Sequence, residues 1–104
     1  MKKKEWDIEY EIQNKELNAP RLTPNDIDNV INSVHYYVVP NTTTTICSLI
    51  LNNGFVVNGE SASASPENFD EVIGKKIAYD NARDKIWALE GYLLKEKLYR
   101  KNNV

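Results

Sequence analysis

Residues 45–60, reading TICSLILNNGFVVNGE, constrain the fold of this chain more than any other stretch. Two β-rich runs flank Asn53-Gly54, the dipeptide that most readily supplies the two positive φ angles of a type I′ turn. The spacing predicts a β-hairpin with Asn53 and Gly54 as the turn, so that Asn52 faces Phe55, Leu51 faces Val56, Ile50 faces Val57 and Leu49 faces Asn58. One sheet face then carries Leu49, Leu51 and Val56, and the other Ile46, Ile50, Phe55 and Val57. A hairpin apolar on both sides needs a layer on each: the chain's own helices on one, and a further layer or a second subunit on the other. This is the first sign of a homo-oligomer.

The rest of the chain supplies the helices. Thr23-Pro24-Asn25-Asp26 is a helix start, with Thr23 as N-cap, Pro24 in the first helical position and Asp26 in the first turn. Ile27, Val30, Ile31 and Val34 follow at helical spacing, predicting a helix over about 24–35. Tyr36 to Val39 is β-prone, Pro40-Asn41 marks a turn, and Thr42 to Thr45 leads into the hairpin. Ser65-Pro66-Glu67 repeats the start signal and opens a long helix over about 66–100. Its apolar stripe changes face, from Phe69, Val72, Ile73 and Ile77 to Ala82, Ile86, Leu89 and Leu93. Such a helix either kinks between Gly74 and Arg83 or is covered by the core at one end and a neighbouring chain at the other. Residues 5–16 mix strand and helix periodicities and favour a short helix. The expected fold class is α+β: a hairpin or small antiparallel sheet (about 36–59) packed with a short helix and a long C-terminal helix. Residues 1–19 form an N-terminal segment and 20–104 the single domain.

Composition narrows the function by exclusion. With 104 residues the chain supports one modest core, and 41% hydrophobic and 27% charged residues with a formal charge of -2 describe an ordinary soluble protein with no field to draw it onto nucleic acid. Lys2-Lys3-Lys4 reads as a solvated tail. No run approaches the ~20 apolar residues of a membrane span, and the N-terminus lacks a signal-peptide core. Phosphate loops, dinucleotide fingerprints, zinc motifs and serine nucleophile elbows are all missing. One cysteine, Cys47, and one histidine, His35, cannot build a soft-metal site in one chain, and Cys47 reads as a small buried hydrophobe. The carboxylates Asp70, Glu71, Asp80, Asp84 and Glu90 interleave with Lys75, Lys76, Arg83 and Lys85, as in a solvated helix laced with ion pairs. No catalytic residue, metal or cofactor is expected.

One cluster suggests binding. Lys85 to Tyr92 places Trp87 and Tyr92 near Lys85, with Gly91 inside a strongly helical stretch as though something packs close there. Trp87 as a core residue is the plain reading. The sharper one is a ligand niche: Trp87 and Tyr92 as an aromatic face for a base, Lys76 or Lys85 for a phosphate, and the loop from Glu60 and Ser61 to Ser63 as a lid.

The order Thr45-x-Cys47-x-Leu49-x-Leu51-x-Asn53-Gly54-Phe55-x-Val57-x-Gly59-Glu60-Ser61-Ala62 is followed by Asn68-Phe69-Asp70-x-x-Ile73-Gly74-x-Lys76-Ile77-Ala78 and Lys85-Ile86-Trp87-x-Leu89-Glu90-Gly91-Tyr92-Leu93-Leu94. From about Pro20 to Leu98 it resembles a family of small tailed-bacteriophage proteins named after gene product forty-nine of phage N-four and gene sixty-six of phage Sf-six. The resemblance implies a virus-encoded accessory protein acting in the host bacterial cytoplasm. By analogy with other small phage proteins that act by occupancy, it points to homo-oligomers that sequester a small anionic nucleotide signal in anti-defence, or to an inhibitor that caps a host protein. A structural role in the virion is the third reading.

Overall fold

A computed structural model describes residues 4–102; Lys2 and Lys3 of the basic tail lie outside them. The element order is α1 (Glu5–Asn14), α2 (Pro24–Val30), β1 (Ile31–Val38), β2 (Thr44–Leu51), β3 (Val56–Ala62), a 3-10 turn (Pro66–Asn68) and α3 (Glu71–Asn102). The strands form one antiparallel meander in the order β1-β2-β3. One face lies under α3, as the α+β expectation requires.

The hairpin forms, but one residue out of the expected register. Ile50 pairs with Val56 and Leu49 with Val57, because Asn52 and Asn53 make the turn and Gly54 follows it in the left-handed conformation (φ 88°). The Gly54 N–H donates to the Leu51 carbonyl at 2.9 Å and the Leu51 N–H to that of Phe55 at 2.8 Å. This is a three-residue loop with a glycine bulge, which needs one positive φ where the type I′ turn needs two. A slip of one residue exchanges faces. Val57 therefore joins Cys47, Leu49 and Leu51 in the core, while Val56 joins Ile46 and Ile50 on the open side. That side is mixed in character, since Ser48 donates to Asn58 at 2.5 Å across it.

Helix α2 starts as expected, with Thr23 and Asp26 forming a reciprocal capping box. It ends at Val30, well short of residue 35, and Ile31 and Val34 belong to β1. The loop of the second hairpin decides this. The Asn52 N–H donates to the Val30 carbonyl at 3.0 Å and its side-chain amide to that of Asn29 at 2.7 Å, satisfying the exposed helix end. The β-branched and aromatic residues beyond it then pair with β2 instead of winding further.

Helix α3 is one uninterrupted helix of 32 residues, about 48 Å long. Ser65-Pro66 opens only the 3-10 turn. The helix proper is capped by Asp70, whose carboxylate accepts the Ile73 N–H at 3.0 Å. The face it buries carries Gly74, Ala78, Ala82 and Ile86, of which the last three are fully buried. Val72, Ile73 and Ile77, members of the first apolar stripe, stay exposed. Small residues win the core position because β3 crosses α3 at contact: a Cβ built on Gly59 would lie 2.4 Å from the Ala78 carbonyl oxygen. Gly91, by contrast, has room, its nearest such neighbour being Leu22 at 4.0 Å. The close approaches fall at Gly59 and Gly74.

Candidate functional site

The gap between the C-terminal half of α3 and the tip of the β2–β3 hairpin is a groove of about 720 Å³. Leu51, Phe55, Val56 and Val57 form one wall; Ala88, Leu89, Tyr92 and Leu93 form the other. Lys85 and Glu90 stand at the helix side and Asn53 and Asn58 at the hairpin side. The register slip shapes this site, because it turns Val56 outward beside Phe55.

The residues singled out from the sequence do not form a single niche within one chain. Lys85 and Tyr92 share the groove. Trp87 points to the other side of α3, where its indole N–H donates to Glu5 at 2.9 Å. Lys76 lies beside Tyr36, Tyr79 and Asp80 in a separate hollow of about 350 Å³. Glu60 and Ser61 belong to β3 and are tied to α3: the Glu60 carbonyl accepts from Asn81 at 2.9 Å, and the Ser61 hydroxyl donates to the Gly74 carbonyl at 2.7 Å. A strand pinned in this way is no lid. Phe55, Val56, Leu89 and Leu93 are the groove residues that sequence reasoning missed as a site, and for Leu89 and Leu93 the signal was there in the second apolar stripe of α3.

On the opposite side of α3, Arg83 is a buried hub. Its guanidinium donates to Glu5 at 2.7 Å, Tyr79 at 3.1 Å and the Pro24 carbonyl at 3.1 Å, and pairs with Asp28 at 2.7 Å. Burial works against its charge, yet the hydrogen bonds to Glu5 and Asp28 outweigh burial and raise its pKa further. These contacts join α1, α2 and α3, so the hub is structural.

A second ion pair holds α1. Arg21 grips the Glu9 carboxylate with both terminal nitrogens, one at 2.8 Å, and Gln13 adds a hydrogen bond at 2.7 Å. These hydrogen bonds from Arg21, then Gln13, pull the Glu9 pKa from 4.5 down to about 2. The carboxylate is covered by these partners more than by apolar packing. Because the folded pKa is depressed, the stabilisation is complete above the ordinary pKa and disappears as the pH falls toward 2. Acidification from pH 4.5 to 2 is therefore expected to release α1, read as a change in Trp6 fluorescence, and Glu9→Gln should flatten that transition. An unchanged acid transition in E9Q would refute the assignment.

Cys47 is buried and burial raises its thiol pKa. His35 pairs with Ser48 across the strands while Cys47 pairs with Tyr36, so the thiol and imidazole sit on opposite faces. Among the described residues, no cluster of three or more His, Cys, Asp and Glu side chains is placed to hold a metal, and no helix is long and apolar enough to cross a membrane.

The fold defines a small α+β domain. Residues 22–98 match the family described as Phage protein (N4 Gp49/phage Sf6 gene 66) family, and the chain belongs to it. It is a bacteriophage accessory protein. Helix α1 lies outside the matched segment. No curated protein and no solved structure matches the chain.

Proposed function

We propose that this protein is a non-enzymatic anti-defence factor in the host cytoplasm. It assembles as a homo-oligomer and sequesters a small anionic nucleotide, cyclic or ADP-ribose-derived, at pockets built on the α3 groove. The observation carrying this reading is the convergence of Lys85 and Tyr92 on an apolar groove. A cation for a phosphate, an aromatic ring for a base and the amides of Asn53 and Asn58 for base edges are what such a ligand needs. The test is calorimetry with a panel of cyclic di- and trinucleotides and cyclic ADP-ribose isomers, followed by heat release and mass measurement of the ligand. Binding with intact recovery is expected, and Lys85→Glu should weaken it at least about tenfold. No binding across the panel would refute the reading, and recovery of cleaved nucleotide would make the protein an enzyme.

A second reading, a protein that caps a host factor, draws on the same groove, whose lining is mainly apolar with Glu90 beside the one lysine. A pull-down yielding one stoichiometric host protein and no nucleotide would favour it.

A further inference from the structure

A lone copy of this chain exposes too much surface for its size. The accessible area is 7736 Å², whereas a folded monomer of this mass exposes about 6,000 Å². The radius of gyration is 16.6 Å, against about 13 Å for a compact domain of this length. Half of the excess area, on the order of 800 Å², already equals one partner's share of a standard protein interface.

Part of the exposed apolar surface lines the groove between α3 and the hairpin tip. Phe55, Val56, Leu89, Tyr92 and Leu93, all groove residues, are each between 39% and 69% exposed. Covering this face would remove these apolar groups from water.

We propose that the cover is a second copy of the same chain, docked about a two-fold axis that passes α3 between Ala88 and Leu89, with the two α3 helices antiparallel. This deepens the oligomer reading above by naming the interface on which it rests. Three features of the groove fit a self-complementary contact. Ala88 has the smallest side chain on the helix wall, so two backbones can approach closely at the centre. The axis sets Lys85 of each copy against Tyr92 of the other, a cation over an aromatic face made twice by symmetry. The lining charges are one lysine and one glutamate, so joining two such faces brings together no net like charge. Phe55 and Leu93 then close over the seam from each side.

The test measures the mass of the full chain without ligand, by light scattering and sedimentation equilibrium at about 100 µM, well above a micromolar dissociation constant. The expected mass is at least twice the 12.0 kDa of the monomer. Leu93→Lys should return the protein to monomer with its helical circular dichroism retained, because Leu93 is half exposed in the single copy. As a second readout, Ala88→Cys should be joined by a short bismaleimide into a covalent dimer, and the buried native Cys47 should not react. A monomeric wild type, an oligomer indifferent to L93K, or an A88C protein that cannot be cross-linked would each overturn the inference. A wild type that dimerises as described but binds no nucleotide would leave the interface standing and remove the functional reading alone.

Discussion

Gly59→Ala is expected to cost about 3 kcal/mol or more and to lower the melting temperature by roughly 15 °C. The added methyl would sit 2.2 Å from the Ala82 nitrogen, 2.4 Å from the Ala78 carbonyl oxygen and 2.8 Å from the Ala82 Cα. All three are backbone atoms, so no rotamer change relieves the overlap. Strand β3 and helix α3 must move apart by an ångström or more, and that opens voids around Leu49, Val57 and Ile86, which pack in the same layer. The loss is therefore an overpacking penalty with a cavity penalty added to it. Gly91→Ala is the internal comparison. It lies on the same helix with no backbone crowding, so removing a helix glycine should stabilise by up to about 1 kcal/mol. Urea unfolding of both variants checks the pair of opposite signs, and a G59A protein as stable as wild type would contradict the contact.

The second large effect is expected at Arg83, which is 6% exposed. Arg83→Ala should cost about 3 kcal/mol, toward the lower end of the range for breaking a buried ion pair because Glu5 and Asp28 keep some access to water. Removing the guanidinium strands the Glu5 carboxylate against Trp87 and leaves the Pro24 carbonyl without its donor. Lysine cannot restore the hub, since one ammonium cannot reach Glu5, Asp28, Tyr79 and Pro24 from a single point. Combining R83A with Glu5→Gln should recover part of the loss, because the unpaired charge is then gone, and this non-additivity separates a charge effect from a simple packing effect. Denaturation midpoints and Trp87 fluorescence read both. A loss below about 0.5 kcal/mol in R83A would show that the network adds nothing to stability.

Parts of this fold were legible in one dimension because their causes are local. Thr23 capping its own helix, Pro24 opening it and the turn at Pro40-Asn41 depend on neighbours a few residues away, and the structure has them as read. The hairpin was legible as a hairpin, but its register was not. Asn53-Gly54 permits both a two-residue turn and a three-residue loop with a bulge, and the choice depends on which face of β2 and β3 the helix must cover. The end of α2 was hidden for a similar reason: the groups that stop it come from Asn52, distant in sequence. The candidate site fared likewise. Lys85 and Tyr92 reach the same groove because seven residues make about two helical turns, whereas Trp87, two residues from Lys85, turns about 200° away to the Arg83 side.

The chain's own order of residues determined the α+β class, the capped start of α2 and the surplus of apolar groups, since each follows from composition or short-range stereochemistry, and its resemblance along about 20–98 gave the phage family. Which surplus became core was decided only in three dimensions. Backbone contact between β3 and α3 admits glycine and alanine alone, so the small residues took the interior of that crossing. Val72, Ile73, Ile77, Leu89 and Leu93, apolar enough for a core but too bulky for that gap, were left on the outside.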